Sequence, residues 1–356
     1  MKLLIGAAPS KLFHLKELSE ALSKFGIECK IVNDIEYSDR FPSRHIRNWF
    51  KSKKQFKKLI EEFKPDVILI DRQRHFGLDA IETKIPLIVH LRGDFWEEIK
   101  WAKDTIYKSP PKKMVLKQWE KIAEKCFSNA EMIFPICNYL ENKVKKQFPR
   151  KQTKVMYQGI DPKRWYQTKG MKLEHPCVGL LQGATIWGKT REMLVLKKVI
   201  QSMPNVTFYW VGDGPYRNKI TSVLENENNF KWLGSLNYPD QVRDYLSEID
   251  IYALISGIDM SPLTLQEAQL MKKPVIATDV GGISELMVDK KTGFLLQKGN
   301  PQEIIEKISM LEKDQKLREE MGIAGQKFIS ENFSWEKIAE KFAKDLKEIK
   351  NKEKLQ

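Results

Sequence analysis

Asp259 to Glu285 reads DMSPLTLQEAQLMKKPVIATDVGGISE, and the fold is decided by how that stretch divides. Ser261-Pro262 predicts a helix start. Serine caps free amides, and proline at the first helical position gives up an amide that would have no partner. The helix is expected from Leu263 to about Lys272. Leu263 and Thr264 carry its first free amides, at the positive end of the helix dipole, where a phosphate is stabilised. Asp259 precedes that end and Glu267 lies one turn in. Pro274 to Thr278 then predicts a short buried strand, and Gly281-Gly282 a turn with room for a ligand near the backbone. The same residues also suit a capped core helix that binds nothing.

Working outward, the helix-and-strand unit repeats in both directions. Strands are expected at Lys2 to Ala7, Ile27 to Val32, Asp66 to Asp71, Pro86 to Leu91, Glu131 to Cys137 and Lys154 to Tyr157. A second set covers Pro176 to Gln182, Thr207 to Val211, Lys231 to Gly234, Ile251 to Ile255, Val275 to Thr278 and Gly293 to Leu296. Helical periodicity between them makes this an α/β chain of parallel sheets, whose ligand sites lie at the carboxyl ends of strands. By that rule Gly6 begins a loop suited to a phosphate, and His90 and Asp94 sit where a catalytic or acceptor-binding side chain belongs. The 356 residues suffice for two domains, divided at 1–162 and 163–334, with a last helix over 335–356 packing back on the first.

Net charge is +14 and unevenly spread: residues 1–165 hold 34 Lys and Arg against 21 Asp and Glu, the remainder 27 against 26. A basic first half points to an anionic partner. Eight Lys and Arg lie between Arg40 and Lys58, among Phe41, Trp49, Phe50 and Phe56. From about Ser43 the spacing suits an amphipathic helix, with Arg44, Arg47, Trp49, Phe50, Lys53 and Lys54 facing an anionic membrane or an acceptor. A helix packed on its own sheet explains the pattern equally well, and a nucleic-acid surface less well, because nothing resembles a base-reading module. Cys29, Cys126, Cys137 and Cys177 are scattered and read as reduced core thiols, without disulfide or zinc. No run approaches the roughly 18 apolar residues of a spanning helix. A cytoplasmic protein, peripheral on the inner face of the membrane, is expected.

Six segments, QGIDPKRW from Gln158, VGDGP from Val211, FKWLGSL from Phe230, the opening stretch, TGFLLQKGNP from Thr292 and FSWEKIAEKF from Phe333, agree with one family in order and spacing. The chain resembles the family 4 glycosyltransferases of the GT-B fold, two Rossmann-like parallel-sheet domains facing a cleft. The resemblance implies a nucleotide-sugar donor, UDP- or GDP-linked, on the C-terminal domain and the acceptor on the N-terminal one. It implies retention of configuration, no metal and no cofactor beyond the donor. Carried over by motif, Glu267 receives the donor ribose hydroxyls, and the amides of Leu263 and Thr264 meet the diphosphate. Asp259 replaces the first Glu of the family's acidic pair, one methylene shorter, and Lys189 pairs with the leaving diphosphate. The arginine that usually accompanies that lysine falls at Ala184, with Arg191 as its substitute, and Gly234 and Leu236 offer backbone groups to the base. Three readings follow: hexose transfer to a lipid-linked or glycan acceptor at the membrane, transfer to a nucleic acid or soluble glycan, and a catalytically weak nucleotide-sugar-binding protein.

Overall fold

Runs of four to six residues, rich in β-branched and aromatic side chains and closed by turns, build two parallel sheets. The computed structural model describes residues 1–43 and 46–353. The chain divides into one unit of residues 1–159 with 335 onward, and another of residues 160–334. Arg44, expected on the basic surface, lies outside the described residues.

The first unit holds β1 (Lys2–Ala7), β2 (Glu28–Asn33), β3 (Val67–Ile70), β4 (Leu87–Leu91) and β5 (Met132–Pro135), all parallel in the order β2-β1-β3-β4-β5. Helices Leu12–Ser23 and Trp335–Glu353 cover it, burying Leu18, Leu22, Trp335, Phe342 and Leu346 with Leu3, Ile5, Leu69 and Phe134 of the sheet. Trp335 donates its Nε1–H to Glu17 at 2.9 Å. The backbone of Gly159 runs so close to that indole that a Cβ would lie 2.3 Å from it.

Two expectations for this unit fail locally. Residues 154–157 run beside β5 without forming a strand: Lys154 and Met156 donate their amides to the Ile133 and Pro135 carbonyls at 3.3 and 2.9 Å, Thr153 bridges Ile133, and the Lys154 side chain turns to Asp345 at 2.6 Å and Glu348 at 2.7 Å. The basic helix begins at Lys54, not near Ser43, and ends at Phe63, burying Phe56 and Leu59. Before it, only Ile46–Asn48 makes a single turn. Trp49 is held in this loop because its ring packs edge-on against Phe41 at 4.9 Å and its Nε1–H donates to the Ser43 carbonyl at 2.9 Å. Phe50 is left 94% exposed and Ile46 71%. Arg47 and Lys54 are also exposed, whereas Lys53 is paired with Glu82 and lies 3.8 Å from Asp79.

The second unit holds β6 (Cys177–Leu181), β7 (Thr207–Val211), β8 (Phe230–Gly234), β9 (Ile251–Leu254), β10 (Val275–Thr278) and β11 (Gly293–Leu296), parallel in the order β11-β10-β9-β6-β7-β8. Val178, Leu180, Phe208, Trp210 and Ala253 of the sheet pack with Met193, Val199, Ile220 and Ile308 of the surrounding helices. Its loops at the carboxyl ends of β6, β9 and β10 hold most of the expected donor residues. Among the described residues no helix is long and apolar enough to cross a membrane.

Candidate donor site

Two loops of the second unit are pressed together by glycine. Gly257, after β9, donates its amide to the Lys189 carbonyl at 2.9 Å, and a Cβ on it would lie 2.1 Å from the Gly188 carbonyl. This approach sets Lys189, 28% exposed, in an ion pair with Asp259, 11% exposed. Asp259 is fixed from both sides: its Oδ1 accepts from the Met260 amide at 2.9 Å and its carbonyl from Gly282 at 2.8 Å. Gly281 makes the second bond geometrically accessible, with φ of 63° and no room for a Cβ beside the Asp259 carbonyl.

The helix expected from the opening stretch spans Leu263–Leu270, but its cap differs. Pro262 occupies the cap position, its carbonyl accepting from Leu265 at 3.2 Å, while the Ser261 hydroxyl is buried and bonds nothing. The expectation that Ser261 caps and Pro262 begins the helix is therefore corrected. Without a side-chain cap, the Leu263 and Thr264 amides have no partner among the described residues, which suits an anion at this helix end. Glu267 is only 2% exposed, one turn in. Beside it Tyr252 donates its hydroxyl to Thr264 Oγ1 at 2.8 Å, and burial, with the charges of Glu267 and Asp259, pushes that phenol well above its ordinary range.

Other expected residues are placed differently. Arg191 is exposed and free of ion pairs among the described residues, at the start of the turn Arg191–Val195. Ala184 is 0% exposed, its amide bonded to the Asp213 carbonyl at 2.9 Å and its side chain in the core. At the position where the resemblance places an arginine, the chain therefore turns a methyl group into the core. Gly234 ends β8 with φ of 74° and gives its carbonyl to Gly212 at 2.8 Å, and Leu236 is half-buried two residues on. Lys298, which the sequence reading missed, donates to the Gly257 carbonyl at 2.9 Å and so adds a cation beside the paired loops. Its place just beyond a strand's carboxyl end was the available signal.

In the first unit, Gly6 lies inside the β1 ladder, and the Phe76 ring sits 2.5 Å from where a Cβ would be. That packing requires the glycine, and β1 continues to Ala7, so the loop expected from Gly6 begins after Ala7. His90, 3% exposed, has Nε2 3.3 Å from the Met156 carbonyl, so Nε2–H donates and the buried Nδ1 bonds nothing. Burial first, then the Arg92 charge, holds its pKa down at about 3, so the ring is neutral. Asp94 caps the helix Phe95–Thr105, accepting from Glu97 at 3.2 Å, and its other oxygen pairs with Lys143. Close by, Arg92 bonds Asp71 at 3.3 Å and also Gln158.

Residues 193–328 match the model of the glycosyl transferases group 1 family. An uncharacterized glycosyltransferase of Methanocaldococcus jannaschii is 28% identical over 212 residues, 59% of this chain and 57% of that one. The chain spans about half, or less, of the length of the curated relatives it matches. The sucrose-phosphate synthase of Thermosynechococcus elongatus superposes with a TM-score of 0.76 at 16% identity, over 98% of this chain and 99% of that one. The Anabaena protein HepE in complex with UDP-glucose superposes with a TM-score of 0.70 at 18% identity, over 98% and 100%. At such identities these likenesses show the fold. Residues 193–328 carry the glycosyl transferases group 1 domain, and the chain as a whole has the two-domain GT-B fold.

Proposed function

We propose that the protein is a retaining glycosyltransferase that moves a hexose from a UDP- or GDP-sugar to a lipid-linked or glycan acceptor at the cytoplasmic face of the membrane. One observation carries the reading: Lys189 against Asp259, beside a helix end with two amides unpartnered among the described residues and Glu267 one turn in. As the bond from the anomeric carbon to the diphosphate breaks, negative charge gathers on the leaving oxygen, and a fixed cation and helix amides stabilise it. The acceptor oxygen bonds to the anomeric carbon on the same face, and its proton passes to the departing phosphate. In this reading no metal enters the transfer. The binding of UDP-glucose by a protein of the same fold supports the donor class.

The membrane part of the reading rests on the basic first half and on the exposed Phe50, Ile46, Arg47 and Lys54. An apolar tip among cations suits an anionic lipid surface. The test incubates purified protein with a panel of UDP- and GDP-hexoses, polyprenyl-linked glycans and anionic vesicles, with Mg²⁺ and Mn²⁺ omitted. Transfer to the lipid-linked acceptor and co-flotation with vesicles at low salt are expected. Absence of donor binding at millimolar concentration would overturn the enzymatic reading, whereas transfer to soluble glycan alone would move the acceptor off the membrane.

A further inference from the structure

β6 and β9 run side by side with Val178 opposite Ile251, so the residues that precede them, Cys177 and Asp250, are neighbours at the amino edge of the sheet. That edge is opposite to the loops of the donor site. His175 stands two residues before Cys177, in the bend that leads into β6. Asp250 Oδ2 accepts from the Cys177 amide at 2.8 Å and lies 2.8 Å from His175 Nδ1, and Cys177 Sγ is 3.8 Å from that nitrogen. All three ligand atoms lie within 4.8 Å of one another. On the far side of the imidazole, Nε2 meets Glu248 Oε1 at 3.0 Å.

That last bond matters for the chemistry. A metal-ligating histidine donates its other N–H to a carboxylate, which fixes the tautomer and aims the lone pair. At 2.8 Å and 3.0 Å from carboxylates both ring nitrogens carry a proton, and a cation that displaces the one on Nδ1 meets a nitrogen lone pair, a thiol and a carboxylate. Zinc bonds nitrogen at about 2.0 Å and sulfur at about 2.3 Å, so a tetrahedral edge between them is about 3.5 Å, close to the spacing found. Lys273, the neighbouring cation, directs its ammonium to the Ser247 carbonyl at 2.7 Å, and its charge also acts on Asp250, Cys177 and Glu248.

We propose that His175 Nδ1, Cys177 Sγ and Asp250 Oδ2 bind a divalent cation of the zinc class, with Glu248 orienting the histidine and water completing the tetrahedron. The proposal departs from the expectation that Cys177 is a reduced core thiol without zinc. On loading, the Nδ1–H bond of His175 and the S–H bond of Cys177 break as the nitrogen–metal and sulfur–metal bonds form, both protons leave to solvent, and no electron is transferred. The ion ties the start of β6 to the start of β9 and, through Glu248, to the end of the helix Asp240–Glu248. It acts on stability, and it stands or falls independently of the transfer reaction.

The test uses untagged full-length protein, stripped with a chelator, dialysed and titrated with Co²⁺ and then Zn²⁺. A near-ultraviolet thiolate-to-cobalt charge-transfer band is expected, bleached by stoichiometric Zn²⁺, together with a Zn²⁺-dependent rise in Tm. Cys177→Ser removes the band, and Asp250→Asn raises the Kd at least about tenfold. His175, 40% exposed, is the alternative where Cys177→Ser does not fold, and His175→Gln is expected to weaken Zn²⁺ binding by a similar factor. The proposal is overturned if wild-type protein gives no band, if the band survives in Cys177→Ser, or if His175→Gln binds Zn²⁺ like wild type. In the first case His175 is an imidazolium held between Asp250 and Glu248.

Discussion

Lys189 and Asp259 limit each other. Unliganded, the carboxylate neutralises the ammonium, so a diphosphate has to draw Lys189 away from Asp259 before it gains a full cation. Asp259→Asn should therefore tighten binding of the free nucleoside diphosphate several-fold while slowing transfer, a split between KM and kcat. Lys189→Ala should weaken that binding and lower kcat/KM by about 10² to 10³. Equal effects of the two substitutions would deny the pairing a role. His90 offers a pH test: its folded pKa of about 3 lies below the ordinary 6.5, so between those values the unfolded chain binds a proton that the folded one does not. Stability contributed by His90 is full above pH 6.5 and is lost as pH falls toward 3, by up to about 1.4 kcal/mol per pH unit. His90→Gln should flatten that acid limb in urea melts taken at successive pH values. At this scale the sequence is legible where chemistry is local: the free helix amides and Glu267 follow from spacing. The burial of Ala184 and the reach of Lys298 are tertiary facts that no spacing reveals.

Loops set between strands fix the site, and their glycines differ in what they bear. Gly281 combines a φ of 63° with a place 2.0 Å from the Asp259 carbonyl for any added Cβ; Gly234 has a φ of 74° and open space around it. Gly234→Ala should cost about 1 to 2 kcal/mol from the left-handed backbone alone, and Gly281→Ala clearly more, with loss of donor binding because Asp259 is displaced. Urea denaturation and a nucleotide-binding assay on both variants check this, and equal costs would refute the steric argument. The strands β7, β10 and β11 match their expected limits because each is a short apolar run closed by turn residues. The segment 41–60 misled because a helical period of aromatics also describes a loop in which Trp49 packs on Phe41 and only Lys54–Phe63 winds up. Periodicity reports which residues share a face, not whether the backbone between them is continuous.

For the molecule as a whole, the helix Trp335–Glu353 belongs to the core of the first unit, where Trp335, Phe342 and Leu346 are buried. A chain ending at Ser334 should lose the cooperative unfolding of that unit, since removing a single buried aromatic costs about 3 to 5 kcal/mol, while residues 160–334 keep their own transition. Calorimetry of the shortened chain, read beside isolated 160–334, tests this; two intact transitions would contradict it. The second unit begins and ends at adjacent points: Ile160 donates its amide to the Phe333 carbonyl at 3.0 Å and bridges Ser334. In effect one domain is spliced into another. During synthesis, then, the later-made unit can finish folding first, while the earlier-made one waits, exposed to chaperones, until its last helix clears the ribosome.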